Sequence, residues 1–151
     1  MPKPELIQQL AEAFGEKIPF NKLLGLHFDK LDRDSCEVSF HNKPELVGNY
    51  IQGILHGGVI ASAIDVAGGT MAAIGLMQRN PETHQQELLE KLSRLGTIDL
   101  RIDYVRPGRG ERFIASAKVL RSGNKVAVVR MELHNEQQTL IALGTGTYLI
   151  G

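Results

Sequence analysis

The run Leu55-His56-Gly57-Gly58 stands directly before a long apolar stretch, and Asp65 sits inside that stretch. These residues have the types and spacing for chemistry. The first turn of a helix leaves backbone N–H groups without partners and carries a partial positive charge. A glycine there lets a ligand approach the backbone closely. A thioester carbonyl held against Gly57 or Gly58 would have its developing oxyanion stabilised by N–H donors. The competing reading is a glycine pair that eases packing against a sheet, and the local residues do not separate the two. Asp65 is the second candidate. A carboxylate among apolar neighbours is costly unless it has a partner, reaches water, or works as a base or nucleophile. The alternative is a structural Asp satisfied by a backbone N–H or an arginine, although no cation stands near it on the same stretch.

His56 and Asp65 are nine residues apart. On one helix that spacing is roughly 900° of rotation and about 13 Å of rise. The two groups then lie on opposite faces and far apart within one chain. Either they are unrelated, or they meet across a two-fold axis where the helix start of one copy faces the middle of its partner.

Basic groups cluster at two turns near the other end of the sequence. Arg106 and Arg109 flank Pro107-Gly108, and Arg121 and Lys125 flank Ser122-Gly123-Asn124. Such side chains, with loop N–H groups such as that of Gly123, suit phosphates; solvated charges at strand ends are the alternative. His27, His41, His84 and His134 show no ligand spacing, and Cys36 alone forms neither an internal disulfide nor a zinc motif. No metal or redox cofactor is implied.

The elements that must hold these residues follow from periodicity. Leu6, Ile7, Leu10, Ala13 and Phe14 recur at helical spacing over residues 5 to 16, within an N-terminal helical segment 1–18 that Pro19 ends. Residues 24 to 41 alternate as two strands about a turn at Asp32-Arg33-Asp34, and 42 to 55 read as a loop. Residues 56 to 77 are apolar on every face, which predicts a helix buried all round; Asp65 and five glycines argue against a membrane span. Residues 78 to 95, with Pro81 at a helix start and Leu88, Leu89, Leu92 and Leu95 in one stripe, predict an exposed accessory helix. Four strands complete the chain. In Thr97 to Val105, Ile98, Leu100, Ile102 and Tyr104 share one face; the later strands are joined by short turns, predicting a meander from residue 97 onward. The fold expected is α+β: six antiparallel strands curling around one long central helix, with an extra helix inserted before the third strand. A second copy would hide the sheet's open edge.

With 151 residues the chain is expected to form one domain, 1–151. Its 17 basic and 17 acidic residues leave net charge zero, which removes the electrostatic case for a nucleic-acid binder. The start MPKPELIQQLAEAF is amphipathic and carries acids, so it does not read as a signal peptide, and the cytoplasm is the expected location.

The stretch GILHGGVIASAIDVAGG resembles the HGG-to-Asp signature of hotdog-fold thioesterases of the phenylacetate-pathway class. GTIDLRIDYVRP, the hairpin RSGNK and the final ALGTGTYLI are also similar to that family, in the same order over residues 20 to 150. The resemblance implies that the Gly57 N–H polarises a thioester carbonyl and that His56 helps orient that corner. It implies that Asp65 of the other chain acts as nucleophile or general base, with Thr97 placing the attacking water. It also implies an acyl-CoA substrate, an active site built by a homodimer, and dimers paired into tetramers, with no nucleic acid or membrane involved. Many members carry an Asn at the position that Tyr50 holds here; Asn49, one place away, is the candidate for that role. Gly58, Arg106, Arg121, Gly123 and Lys125 join Asn49 as expected substrate-binding residues. The reaction expected is hydrolysis of acyl-CoA to fatty acid and CoA; a non-catalytic acyl-CoA-binding module is the alternative. The apolar central helix and the Leu-rich accessory helix suggest medium to long acyl chains, and Met71, Ile74, Leu76 and Met77 are candidates to line an acyl tunnel.

Overall fold

The structure is a computed structural model and describes residues 3–151; residues 1 and 2 of the expected N-terminal helical segment lie outside the described residues. Helix α1 (Pro4–Glu12) runs into a π-helical turn (Ala13–Lys17), and α2 (Pro19–Leu24) follows. Pro19 therefore ends one helix and starts another, because Ile18 is extended and a proline at the first helical position has no N–H to lose. Strand β1 (His27–Leu31) begins three residues later than the alternation beginning at Leu24 suggested. It pairs with β2 (Cys36–His41). The expected loop 42 to 55 holds a small hairpin, β3 (Val47–Asn49) and β4 (Ile54–Leu55).

The central helix α3 spans Gly57–Arg79, with His56 as its N-cap. The accessory helix α4 is shorter than predicted, Gln85–Ser93, and Pro81 lies in the turn before it because α3 runs on to Arg79. Strands β5 (Gly96–Tyr104), β6 (Arg112–Ser122), β7 (Val126–Asn135) and β8 (Leu140–Leu149) complete the chain. The sheet is antiparallel with order β1-β2-β6-β7-β8-β5. This is the six-stranded hotdog arrangement expected, with one correction. The meander covers only β6 to β8; the segment after β5 crosses the sheet end, so β5 pairs with β8 and becomes an edge. Val105 and Arg106 N–H groups both donate to Ile141 O, which turns the chain away from β8 at that point.

Phe40 and Phe113 stack with ring centres 5.4 Å apart on the inner face of β2 and β6. Along β7, Ala127, Val129, Met131, Leu133 and Asn135 are buried in strict alternation, as a half-buried strand requires. Helix α3 is long and apolar enough to cross a membrane, yet 72% of its most apolar stretch is buried inside the protein. Its burial is uneven. Residues 67 to 77 are enclosed, whereas Ala61, Ser62, Asp65 and Val66 are only half-buried. The enclosed part is covered by apolar side chains from both added elements: Leu6, Leu10 and Phe14 from the N-terminal segment, Leu88 and Leu92 from α4. Met71 and Ile74 are wholly buried, and Leu76 and Met77 nearly so, in that core; they pack rather than line a tunnel.

Candidate active site

The helix start is built from three segments. Extended backbone at His56 (φ −63°, ψ 136°) lets its Nδ1 accept the Gly58 N–H at 2.8 Å, an N-cap bond that also assigns the ring proton to Nε2. The His56 N–H donates to Leu46 O at 2.9 Å, and Leu55 N–H donates to Gly108 O at 3.1 Å. Gly48 is needed for this packing, since a Cβ there would lie 2.7 Å from His56 Cα. On the other side the Tyr104 hydroxyl donates to Gly57 O at 2.8 Å. The Gly57 N–H has no acceptor among the described residues, while the Gly58 N–H is taken by His56. The free donor expected at this corner is therefore Gly57 alone.

Two turns along α3, Asp65 is half-buried rather than sealed among apolar groups. Its partners are neither an arginine nor a backbone N–H but two hydroxyls. Thr97 Oγ1 donates to Asp65 Oδ1 at 2.8 Å, and the Tyr148 hydroxyl lies 3.1 Å from the same oxygen and 3.2 Å from the Asp65 carbonyl. Both donors converge on Oδ1 and leave Oδ2 open. Tyr148 is 1% exposed. Burial, then the Asp65 charge and hydrogen bond, push its phenol well above the usual tyrosine range, so it stays a donor. Sequence reasoning missed Tyr148. The one signal was Gly144 and Gly146 alternating before an aromatic residue, a strand surface left open for a bulky group.

The two halves do not meet in one chain. Helix α3 is continuous, so Gly57 and Asp65 are separated by about 12 Å along its axis. Strand β5 reaches both halves, with Thr97 at Asp65 and Tyr104 at Gly57. A register shift between Thr97 and Asp99 breaks the predicted alternation and leaves Ile98 57% exposed at one end of the strand, while Tyr104 is half-exposed at the other.

Asn49 caps the β3–β4 hairpin, its Oδ1 accepting the Gln52 N–H at 3.2 Å. The basic residues divide into two groups. Arg106 donates to Leu140 O at 3.0 Å and Arg109 bonds Gln52, both near the start of α3. Arg121, Gly123 and Lys125 belong to the β6–β7 hairpin at its far end, where Arg79 donates to Ser122 O at 3.0 Å and Asn124 Oδ1 at 2.6 Å. The 23 residues of α3 separate these groups by about 33 Å, so one chain cannot gather all of them on one phosphate. His27 and His134 sit beside Asp29 and Glu132. The buried Cys36 thiol donates to Ala67 O at 3.5 Å and is pushed up to about 12 by desolvation, which makes it structural.

Residues 52–142 match the family model of the thioesterase superfamily. The chain is 49% identical over 147 residues to the medium/long-chain acyl-CoA thioesterase YigI of Escherichia coli (strain K12), covering 97% of this chain and 95% of that protein. A crystal structure of a Shewanella oneidensis protein related to the thioesterase superfamily superposes with a TM-score of 0.94 at 51% identity, covering 97% and 96% of the two chains. The Escherichia coli PaaI protein of the phenylacetic acid degradation operon shares the fold, with a TM-score of 0.78 at 21% identity over 97% and 94% of the chains.

Proposed function

The chain belongs to the thioesterase superfamily, and from that premise we propose that it is an acyl-CoA thioesterase releasing free fatty acid and CoA from medium- to long-chain substrates. The observation that carries this reading is the pairing of an open Gly57 N–H with an Asp65 whose Oδ1 is held and whose Oδ2 is free. Asp65 Oδ2 takes a proton from water while the Thr97 hydroxyl, already donating to Oδ1, accepts the other hydrogen and fixes the water's direction. The water oxygen attacks the thioester carbon, and the developing oxyanion is held by the Gly57 N–H at the positive end of α3. Collapse expels the CoA sulfur, which leaves as the thiol after taking up the proton. The YigI relative carries medium/long-chain acyl-CoA in its name, and the chain-length assignment made here rests on that likeness.

The site is completed by a second copy. The unpaired edge of β5 is a template for another strand, and an antiparallel pair of β5 strands centred near Leu100 would set Thr97 of one copy beside Tyr104 of the other. Asp65 of one chain then faces the Gly57 N–H of its partner. The same assembly would allow Arg121, Gly123 and Lys125 of one chain to reach CoA phosphates held near Arg106 of another. Thiol release from a series of acyl-CoA thioesters tests the reaction. Hydrolysis peaking at medium or long chains and lost in Asp65→Ala supports it; chain-length-dependent binding without thiol release would make the protein a binding module instead.

A further inference from the structure

A cavity of about 150 Å³ opens against Asp65. Its lining joins the polar Asp65, Thr97, Tyr148 and Asn21 to four apolar side chains, Phe14, Ile18, Val66 and Leu95. None of these four apolar side chains is fully buried, so the space is not a packing defect sealed inside the core. It has room for about five groups the size of a water molecule, at roughly 30 Å³ each. The wall is made by elements added to the sheet and its central helix: Phe14 and Ile18 lie on the N-terminal segment, and Leu95 follows α4.

That wall is held in place. The π-helical turn at Ala13–Lys17 departs from the i→i−4 ladder, a feature that gathers at functional sites. Asn21, 2% exposed, donates to Phe14 O at 2.8 Å and so ties the turn to α2. The segment is thereby fixed with Phe14 facing the cavity instead of completing a regular helix.

We infer that this cavity is the subsite for the acyl carbons nearest the thioester, and that Phe14 and Ile18 of the N-terminal segment set which chains fit. The inference rests on the hydrolase reading for the position of the carbonyl at Asp65. A chain attached to that carbonyl would run from Asp65 into the cavity and meet the apolar side chains of Val66, Leu95, Phe14 and Ile18. Apolar contact of this kind discriminates by tens of fold per methylene.

The test compares octanoyl-CoA with acetyl-CoA in wild type, Phe14→Trp and Ile18→Trp, by hydrolysis and by calorimetric binding of the non-hydrolysable thioether analogues. Filling the cavity is expected to lower the octanoyl-to-acetyl ratio of kcat/KM by about tenfold or more in either Trp variant, with a parallel fall in the affinity ratio. Phe14→Ala is expected to raise both ratios for branched or longer chains. Normal hydrolysis with both ratios within about twofold of wild type in the two Trp variants would overturn the subsite and leave the hydrolase reading standing. Absence of hydrolysis in wild type, with the affinity ratio still collapsing in the Trp variants, would keep the subsite and remove the hydrolase reading.

Discussion

The Tyr148 hydroxyl lies 3.1 Å from Asp65 Oδ1 and 3.2 Å from the Asp65 carbonyl oxygen, so one buried phenol holds a carboxylate and its own backbone together. With Thr97 on the same Oδ1, two hydroxyls hold one carboxylate oxygen and leave Oδ2 without a partner among the described residues. Tyr148 does not need to touch substrate to matter. On the proposed mechanism its role is to position Asp65.

Tyr148→Phe removes that donor and keeps the ring. A hydrogen bond to a charged group contributes about 1.5–3 kcal/mol, so kcat is expected to fall about 10- to 100-fold if the bond is fully used in the transition state. KM is expected to hold, because the acyl and CoA contacts remain. Steady-state kinetics on one acyl-CoA decide it: wild-type kcat in the variant would reduce Tyr148 to a packing residue.

The seat of Tyr148 gives a second test. A Cβ on Gly68 would lie 2.2 Å from the Tyr148 hydroxyl and 3.0 Å from Met131 Sδ, whereas one on Gly69 meets nothing closer than 3.6 Å. Gly68→Ala is therefore expected to push Tyr148 off Asp65 and cost about 1–3 kcal/mol of overpacking, less the gain of about 1 kcal/mol from a better helix former. Gly69→Ala keeps only the gain. Thermal unfolding of the pair should move in opposite directions, and equal melting temperatures would remove the steric argument.

The sequence already indicated the helix N-terminus and Asp65 because each is a local signal, glycines before an apolar run and a carboxylate inside it; Thr97 was indicated only by the family resemblance. Tyr148 was invisible for the opposite reason. It meets Asp65 across 83 residues of chain, and no pattern around it in sequence points to that partner. The path of β5 failed similarly. Short turns predict neighbouring strands, but the 105 to 111 segment crosses the sheet end and is anchored at Leu55 and Ile141, both distant in sequence. The helix Pro19–Leu24 was lost because a proline reads as an end until Ile18 is seen to be extended. The division of the basic residues was hidden because residue spacing shows which charges share a turn, not which turns share an end of α3.

A shared site predicts complementation between two inactive chains. Asp65→Asn removes the proposed base. Gly57→Pro removes the N–H donor at a helix position where proline is tolerated, and His56 before it already has the extended backbone proline requires. Each variant alone is expected to be inactive. Mixed at equal amounts after dissociation and reassociation, half of the dimers are hybrids, and each hybrid carries one intact site. Activity should return to about a quarter of wild type. No recovery in a mixture shown by mass spectrometry to contain hybrids would place both groups of a working site in one chain.

The buried neutral groups predict how the fold fails in base. Desolvation raises the Cys36 thiol from 9.0 to about 12 in the folded chain, and the Tyr148 phenol is raised above its ordinary 10.0 by burial, then by the Asp65 charge and hydrogen bond. In both cases the unfolded chain loses its proton first. The contribution to stability is thus complete below the unfolded values and falls as pH rises through the window up to the folded ones, by about 1.4 kcal/mol per pH unit per group. Denaturant unfolding at pH 8, 9, 10 and 11 should show stability declining from near pH 9 and more steeply above pH 10. Cys36→Ala is expected to flatten the first part and Tyr148→Phe the second, each after its own packing loss at pH 8 is subtracted. A wild-type stability that stays level to pH 11 would mean that these groups ionise inside the fold. Tyr148 would then cease to be a dependable donor to Asp65 at alkaline pH, and kcat should fall over the same range.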